Sequence, residues 1–176
     1  MPYQHHVSHE LVLHLVCGKI ASGKSTLAAQ LARDVGAVLI SEDVWLSRLF
    51  PNEIECVADY VRCAKCIKDV LSPHVEELLR AGVSVVLDLP FNTIESRSWG
   101  HAIAIRAGCA HRLNYLEVAD AVCKARLRRR NEAGEHPFQT TEDQFDYITS
   151  FFCAPDPSEN LDVVVHAESA FATLAD

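Results

Sequence analysis

The chain has 176 residues, 49% of them hydrophobic and 23% charged, with a formal net charge of −8. That length corresponds to one domain with a buried core, and no apolar run approaches the roughly 20 residues that a membrane-spanning helix needs. The acidic balance excludes a bulk nucleic-acid binder, and the opening MPYQHHVSHE lacks the features of a secretory leader, so a cytoplasmic protein is expected.

The predicted elements alternate between strand and helix. Residues 11–17 (LVLHLVC) form a short apolar run suited to a buried parallel strand. A glycine-rich turn follows, and Leu27, Ala28, Leu31 and Val35 recur at helical spacing over residues 25–35, up to Gly36. A second strand covers 37–40. Helix is expected from about residue 53 to 81, broken near Pro73, which lacks the amide a helix interior uses. A third strand covers 83–88, a helix 96–107, a fourth strand 113–118 and a helix 119–130. Residues 131–140, with Gly134 and Pro137, read as a lid loop. A helix from Thr141 to about Phe152 ends before Pro155 and Pro157, a fifth strand covers 161–166, and a short helix closes the chain. Five strands alternating with helices imply an α/β fold, a parallel sheet with helices on both faces, in a single domain spanning 1–176.

Seven cysteines at irregular spacing argue against a disulfide framework. Cys63-x-x-Cys66 has no second pair to complete a zinc site and is read as helix packing. Of nine histidines, His5, His6 and His9 lie in the N-terminal segment. His14 reads as a satisfied core residue, and His136 falls in the lid, within reach of a phosphate.

The sharpest motif is Gly18-Lys19-Ile20-Ala21-Ser22-Gly23-Lys24-Ser25, which fits G-x-x-x-x-G-K-[ST] at every fixed position. A strand precedes it and an amphipathic helix follows. Its glycines let successive backbone N–H groups turn toward phosphate oxygens, and the following helix aims its positive end at the same place. Gly18, Ala21, Ser22, Gly23, Lys24, Ser25 and Thr26 are the expected ATP contacts, with Lys24 on the β- and γ-phosphates and the Ser25 hydroxyl on Mg²⁺.

Three further features point to phosphoryl transfer. Asp43 follows the second strand, at the sheet edge where ligands bind, and is the candidate base for an acceptor hydroxyl; its alternative, or that of Ser41, is a helix cap. Glu42 is the weaker candidate. Asp88 ends the third strand and would hold Mg²⁺ with Ser25, hydrogen-bond the acceptor or cap a turn, while Phe91 and Asn92 are expected at the mouth of the acceptor pocket. Arg126, Arg128, Arg129 and Arg130 crowd one helix end: Arg126 and Arg130, four apart, would clamp phosphates with Arg129 in reserve, or the cluster is a solvated helix terminus. Trp45, Arg48, Phe50, Tyr60 and Arg62 are candidate acceptor-pocket residues, with core packing or solvent as the alternative. The guanine-reading Asn-Lys-x-Asp sequence is absent.

Taken together, residues 18–28, 41–43, 85–91, 126–131 and the C-terminal run from His136-Pro137-Phe138 through Phe145, Phe152, Pro155 and Glu159 resemble a group of small bacterial P-loop kinases. It includes AAA-type and zeta-toxin-like kinases, polynucleotide 5′-hydroxyl kinase, gluconate kinase and chloramphenicol phosphotransferase. The resemblance implies the strand order 2-3-1-4-5, a base at Asp43, lid arginines on the ATP phosphates and an adenine pocket near the last strand. Two departures limit it: the chain has no counterpart of the phosphatase domain of polynucleotide kinase, and it lacks the extra substrate-binding residues of zeta toxins. The expected function is therefore an ATP- and Mg²⁺-dependent phosphotransferase acting on the hydroxyl of a small molecule or nucleotide, as a monomer or homodimer. A slowly hydrolysing ATP switch and a toxin-like kinase with an antitoxin are the alternatives.

Overall fold

The computed structural model describes residues 10–134 and 139–167. Five strands, β1 (Val12–Cys17), β2 (Val38–Ser41), β3 (Val85–Asp88), β4 (Ala110–Glu117) and β5 (Val163–Ala167), form one parallel sheet in the order β2-β3-β1-β4-β5, the order expected. β1 lies at the centre: Leu13 is in register with Val85 on one side and His111 on the other. Every β1 residue is buried, and the pleat divides them between two cores.

Leu13, Leu15 and Cys17 face a core filled by α2 (Glu42–Leu49), α3 (Val57–Arg80) and α4 (Ile94–Ala107), through Leu46, Leu71 and Ile103 among others. On the opposite face, Val16 and Val86 meet Ala28 and Ala32 of α1 (Lys24–Val35). There too α5 (Asp120–Ala133) and α6 (Glu142–Thr149) gather Cys123, Leu127 and Phe145 around Leu27 and Leu116. The result is a three-layer α/β/α fold.

Several boundaries differ from expectation. α3 is one helix with Pro73 inside it, because Pro73 sits on the exposed side while Ile67, Leu71, Val75 and Leu79 keep a continuous buried stripe. α2 is a separate helix of 8 residues, too short for a strong periodic signal. α4 begins at Ile94, where Thr93 and Ser96 form a capping box. β4 starts at Ala110 because its pairing with β1 extends back to Val12. α5 continues past Arg130 into the expected lid and stops at Gly134, whose φ of 68° suits glycine. Residues 135–138 and the expected closing helix lie outside the described residues.

The largest wholly buried side chain is Arg97, 0% exposed, on the inward stripe of α4 with Gly100, Ile103 and Ala104. Glu159 meets it with two bonds of 2.7 Å. Cys63 is buried in α3 as expected, but Cys66 is exposed rather than packed. His14 is buried with its Nδ1 lacking a hydrogen-bond partner, so the expected satisfied core residue is only half realised. Among the described residues no helix is long and apolar enough to cross a membrane.

Candidate active site

In a parallel sheet all strand ends of one polarity share an edge. Here β1 runs into the glycine-rich loop, and β2 and β3 end beside it with Ser41 and Asp88 in register. Gly18 has no room for a side chain: a Cβ would lie 2.7 Å from Ser22 Oγ and 3.1 Å from the Leu116 carbonyl oxygen. Ala21 (φ 58°) and Gly23 (φ 107°) take left-handed conformations, and Gly23 is the N-cap of α1. The loop thus opens directly onto a helix N-terminus, the geometry that suits an anion. Ser25 and Thr26 are exposed in the first turn of α1.

Lys24 Nζ donates to the carbonyls of Gly18 and Lys19, both at 2.8 Å. Burial holds its ammonium below the ordinary lysine range, against the pull of the Asp88, Cys17 and Asp43 charges. Arg126 Nη1 donates to the Ser22 carbonyl at 3.0 Å, and Lys19 pairs with Asp120 at the start of α5. Ser22 Oγ is buried without a hydrogen-bond partner.

Burial pushes the Asp88 carboxyl above its usual range, opposed by a hydrogen bond with Ser25 and by the Lys24 charge. Ser41 Oγ also donates to Asp88, at 3.4 Å. Among the described residues no group of three or more His, Cys, Asp or Glu side chains is arranged as a metal cage. The Ser25–Asp88 pair nevertheless fits Mg²⁺, which keeps most of its waters and takes one or two protein oxygens.

Asp43 is partly buried near the start of α2, and its charge acts on Lys24, Asp88 and Arg130. It is not the helix cap; Ser41 holds that position, with its side chain making no capping bond. The adjacent Glu42 is more deeply placed, 2% exposed, with Oε2 accepting from Tyr60 Oη at 2.6 Å and Oε1 buried without a partner. Burial raises its carboxyl.

The arginines separate by helix face. Arg126 and Arg130 are partly buried; burial lowers the Arg130 guanidinium, opposed by the Asp43 charge. Arg129 is exposed, and Arg128 pairs on the surface with Glu142. Arg126 therefore meets the loop and Asp88 meets Ser25, while the Asp43 charge acts on both Lys24 and Arg130. Phe91 does not line a pocket mouth: it is 1% exposed in the core and stacks on Trp99. Asn92 binds the phosphate loop instead, its Oδ1 accepting from the Gly18 amide at 3.0 Å. Trp45, Phe50 and Tyr60 pack against the core, while Arg48 is exposed and Arg62 pairs with Glu53 and Asp59. His136 lies outside the described residues.

A family model described as an AAA domain matches residues 13–155. No curated protein matches the sequence. Among solved structures, a Chloroflexus aurantiacus protein carrying a kinase designation is similar at 17% identity and a TM-score of 0.74, over 95% of this chain and 90% of that one. The Mycobacterium tuberculosis APS kinase, solved with AMPPNP and APS, is 19% identical with a TM-score of 0.58, over 91% and 90%. A gluconokinase from Sinorhizobium meliloti is 16% identical with a TM-score of 0.55, over 88% and 81%. At these identities the likeness is one of fold.

Proposed function

The chain belongs to the AAA domain family, and from that premise we propose that it transfers the γ-phosphate of ATP to a hydroxyl of a small molecule or nucleotide. What supports this reading is the loop geometry, with Lys24 on the Gly18 and Lys19 carbonyls and Arg126 on the Ser22 carbonyl, together with the Asp43 charge, which acts on Lys24 and Arg130. The acceptor oxygen attacks the γ-phosphorus in line, forming one P–O bond as the bond to the β–γ bridging oxygen breaks. Asp43 takes the hydroxyl proton and ADP leaves. Lys24, Arg126 and Arg130 bear the negative charge spread over the transferring group, and the loop amides orient the phosphates. Mg²⁺ held through Ser25 and Asp88 would neutralise charge between the β- and γ-phosphates. Arg126 and Arg130 together would hold the end of α5 against the nucleotide phosphates.

Two of the fold relatives named above, a gluconokinase and an APS kinase, are named for different acceptors, so the proposal extends to the hydroxyl class and not to one compound. A screen of hydroxyl metabolites and nucleotides by ATP consumption tests the reading. Stimulation by one acceptor is expected, and Asp43→Asn should lower that turnover by about 10²–10⁴-fold while leaving ATP affinity nearly unchanged. Steady hydrolysis that no acceptor stimulates, or full transfer by Asp43→Asn, would overturn it.

A further inference from the structure

Asn92 is 74 residues from Gly18 in sequence, yet it supplies the hydrogen bond that fixes the first residue of the phosphate loop. Asn92 is itself clamped. Its carbonyl accepts from the Cys153 amide at 2.9 Å. The preceding carbonyl, of Phe91, accepts from Arg97 Nη1 at 3.3 Å, and the same nitrogen donates to the Cys153 carbonyl at 2.8 Å. Arg97 is in turn gripped by both oxygens of Glu159. A continuous chain of polar contacts therefore runs from a buried ion pair through Cys153 and Asn92 to the loop. None of these residues is used in the transfer step proposed above.

The link joins two halves of the site. Asn92 follows Asp88 on the segment leaving β3, whereas Gly18 leads to Lys24. A hydrogen bond between them sets how far the phosphate-binding amides stand from the strand end that carries the acid. An amide oxygen suits this place, because it accepts from the Gly18 N–H without adding negative charge where phosphates bind. We propose that Asn92 is a positioning residue for nucleoside triphosphate binding, locking the phosphate loop to the segment after β3, with Arg97 and Glu159 holding Asn92 in place. This rests on the reading of the loop as a nucleotide site.

The test measures two quantities in the full chain: affinity for a fluorescent ATP analogue, and hydrogen exchange of the peptide containing Gly18. Asn92→Ala is expected to weaken binding about tenfold, equivalent to about 1.4 kcal/mol, and to speed exchange at Gly18. Its melting temperature should stay within a few degrees of the parent. Asn92→Asp keeps the acceptor oxygen and should restore the Gly18 protection, whatever its charge does to affinity, which separates loop locking from general damage. Parent-like affinity or unchanged Gly18 exchange in Asn92→Ala would overturn the proposal. Failure of the parent chain to bind the analogue would overturn the nucleotide reading instead, and the exchange comparison would still decide whether Asn92 holds the loop.

Discussion

Glu159→Gln removes the charge that neutralises the most deeply buried arginine in the fold. The parent pair has two bonds of 2.7 Å between a guanidinium that is 0% exposed and a carboxylate whose side chain is 9% exposed. Breaking a buried pair costs about 3–5 kcal/mol, because the remaining charge stays buried. Glutamine keeps one acceptor oxygen, which can still meet Arg97 and the Asp156 amide, so the loss belongs near the low end, about 3 kcal/mol. Urea unfolding at neutral pH reads this as a midpoint lowered by about 1.5 M, if the slope is about 2 kcal/mol/M and unchanged by the mutation. The bond with Arg97 holds the Glu159 carboxyl below its ordinary range. Its stabilisation is therefore complete above the unfolded-state value, about 4.3, and is lost as pH falls through the lower folded value. The parent and variant stabilities should converge in acid. A loss under about 1 kcal/mol at neutral pH, or a gap that persists below both carboxyl values, would refute the reasoning.

Other substitutions probe separate parts of the molecule. A Cβ on Gly100 would stand 2.7 Å from Phe91 Cε1 and 2.8 Å from Leu15 Cδ1, both buried, so Gly100→Ala should cost about 1–3 kcal/mol by thermal or urea unfolding. Tyr60→Phe removes the donor to the buried Glu42 carboxyl and should cost about 1–3 kcal/mol at neutral pH, shrinking in acid as Glu42 takes up a proton. Once an acceptor is found, Arg130→Ala should lower kcat by about 10²-fold or more, whereas the exposed Arg129→Ala should leave it within about twofold.

The parts of this protein legible in its sequence are those with local signals. The strand order followed from the resemblance carried by the phosphate loop and the residues after β2 and β3, and the alternating apolar runs announced the parallel sheet. Thr141 and the prolines at 155 and 157 bracketed α6, although α6 ends at Thr149 rather than near Phe152. Pro73 misled because local propensity says nothing of which side of a helix faces the core. Arg130 and Arg129 are neighbours, and only the rotation of α5 against the loop separates an inward guanidinium from an outward one. The Arg97–Glu159 pair spans 62 residues and leaves one trace, a charged residue on the apolar stripe of α4. Asn92 draws notice only by its place after the third strand, at the expected pocket mouth, and its bond to Gly18, 74 residues away, leaves no local signal.

The central place of β1 has a consequence for biosynthesis. β1 leaves the ribosome before both of its neighbours, β3 and β4, which lie dozens of residues later in the chain. At about 5–20 residues per second, its apolar run waits several seconds before either edge can be paired. Neither β2 nor α1 can shelter it fully in that interval, since β2 reaches β1 only through β3. The edges of β1 are thus unpaired until the segment carrying Asp88 emerges, and that same segment completes the row of strand ends on which the candidate site is built.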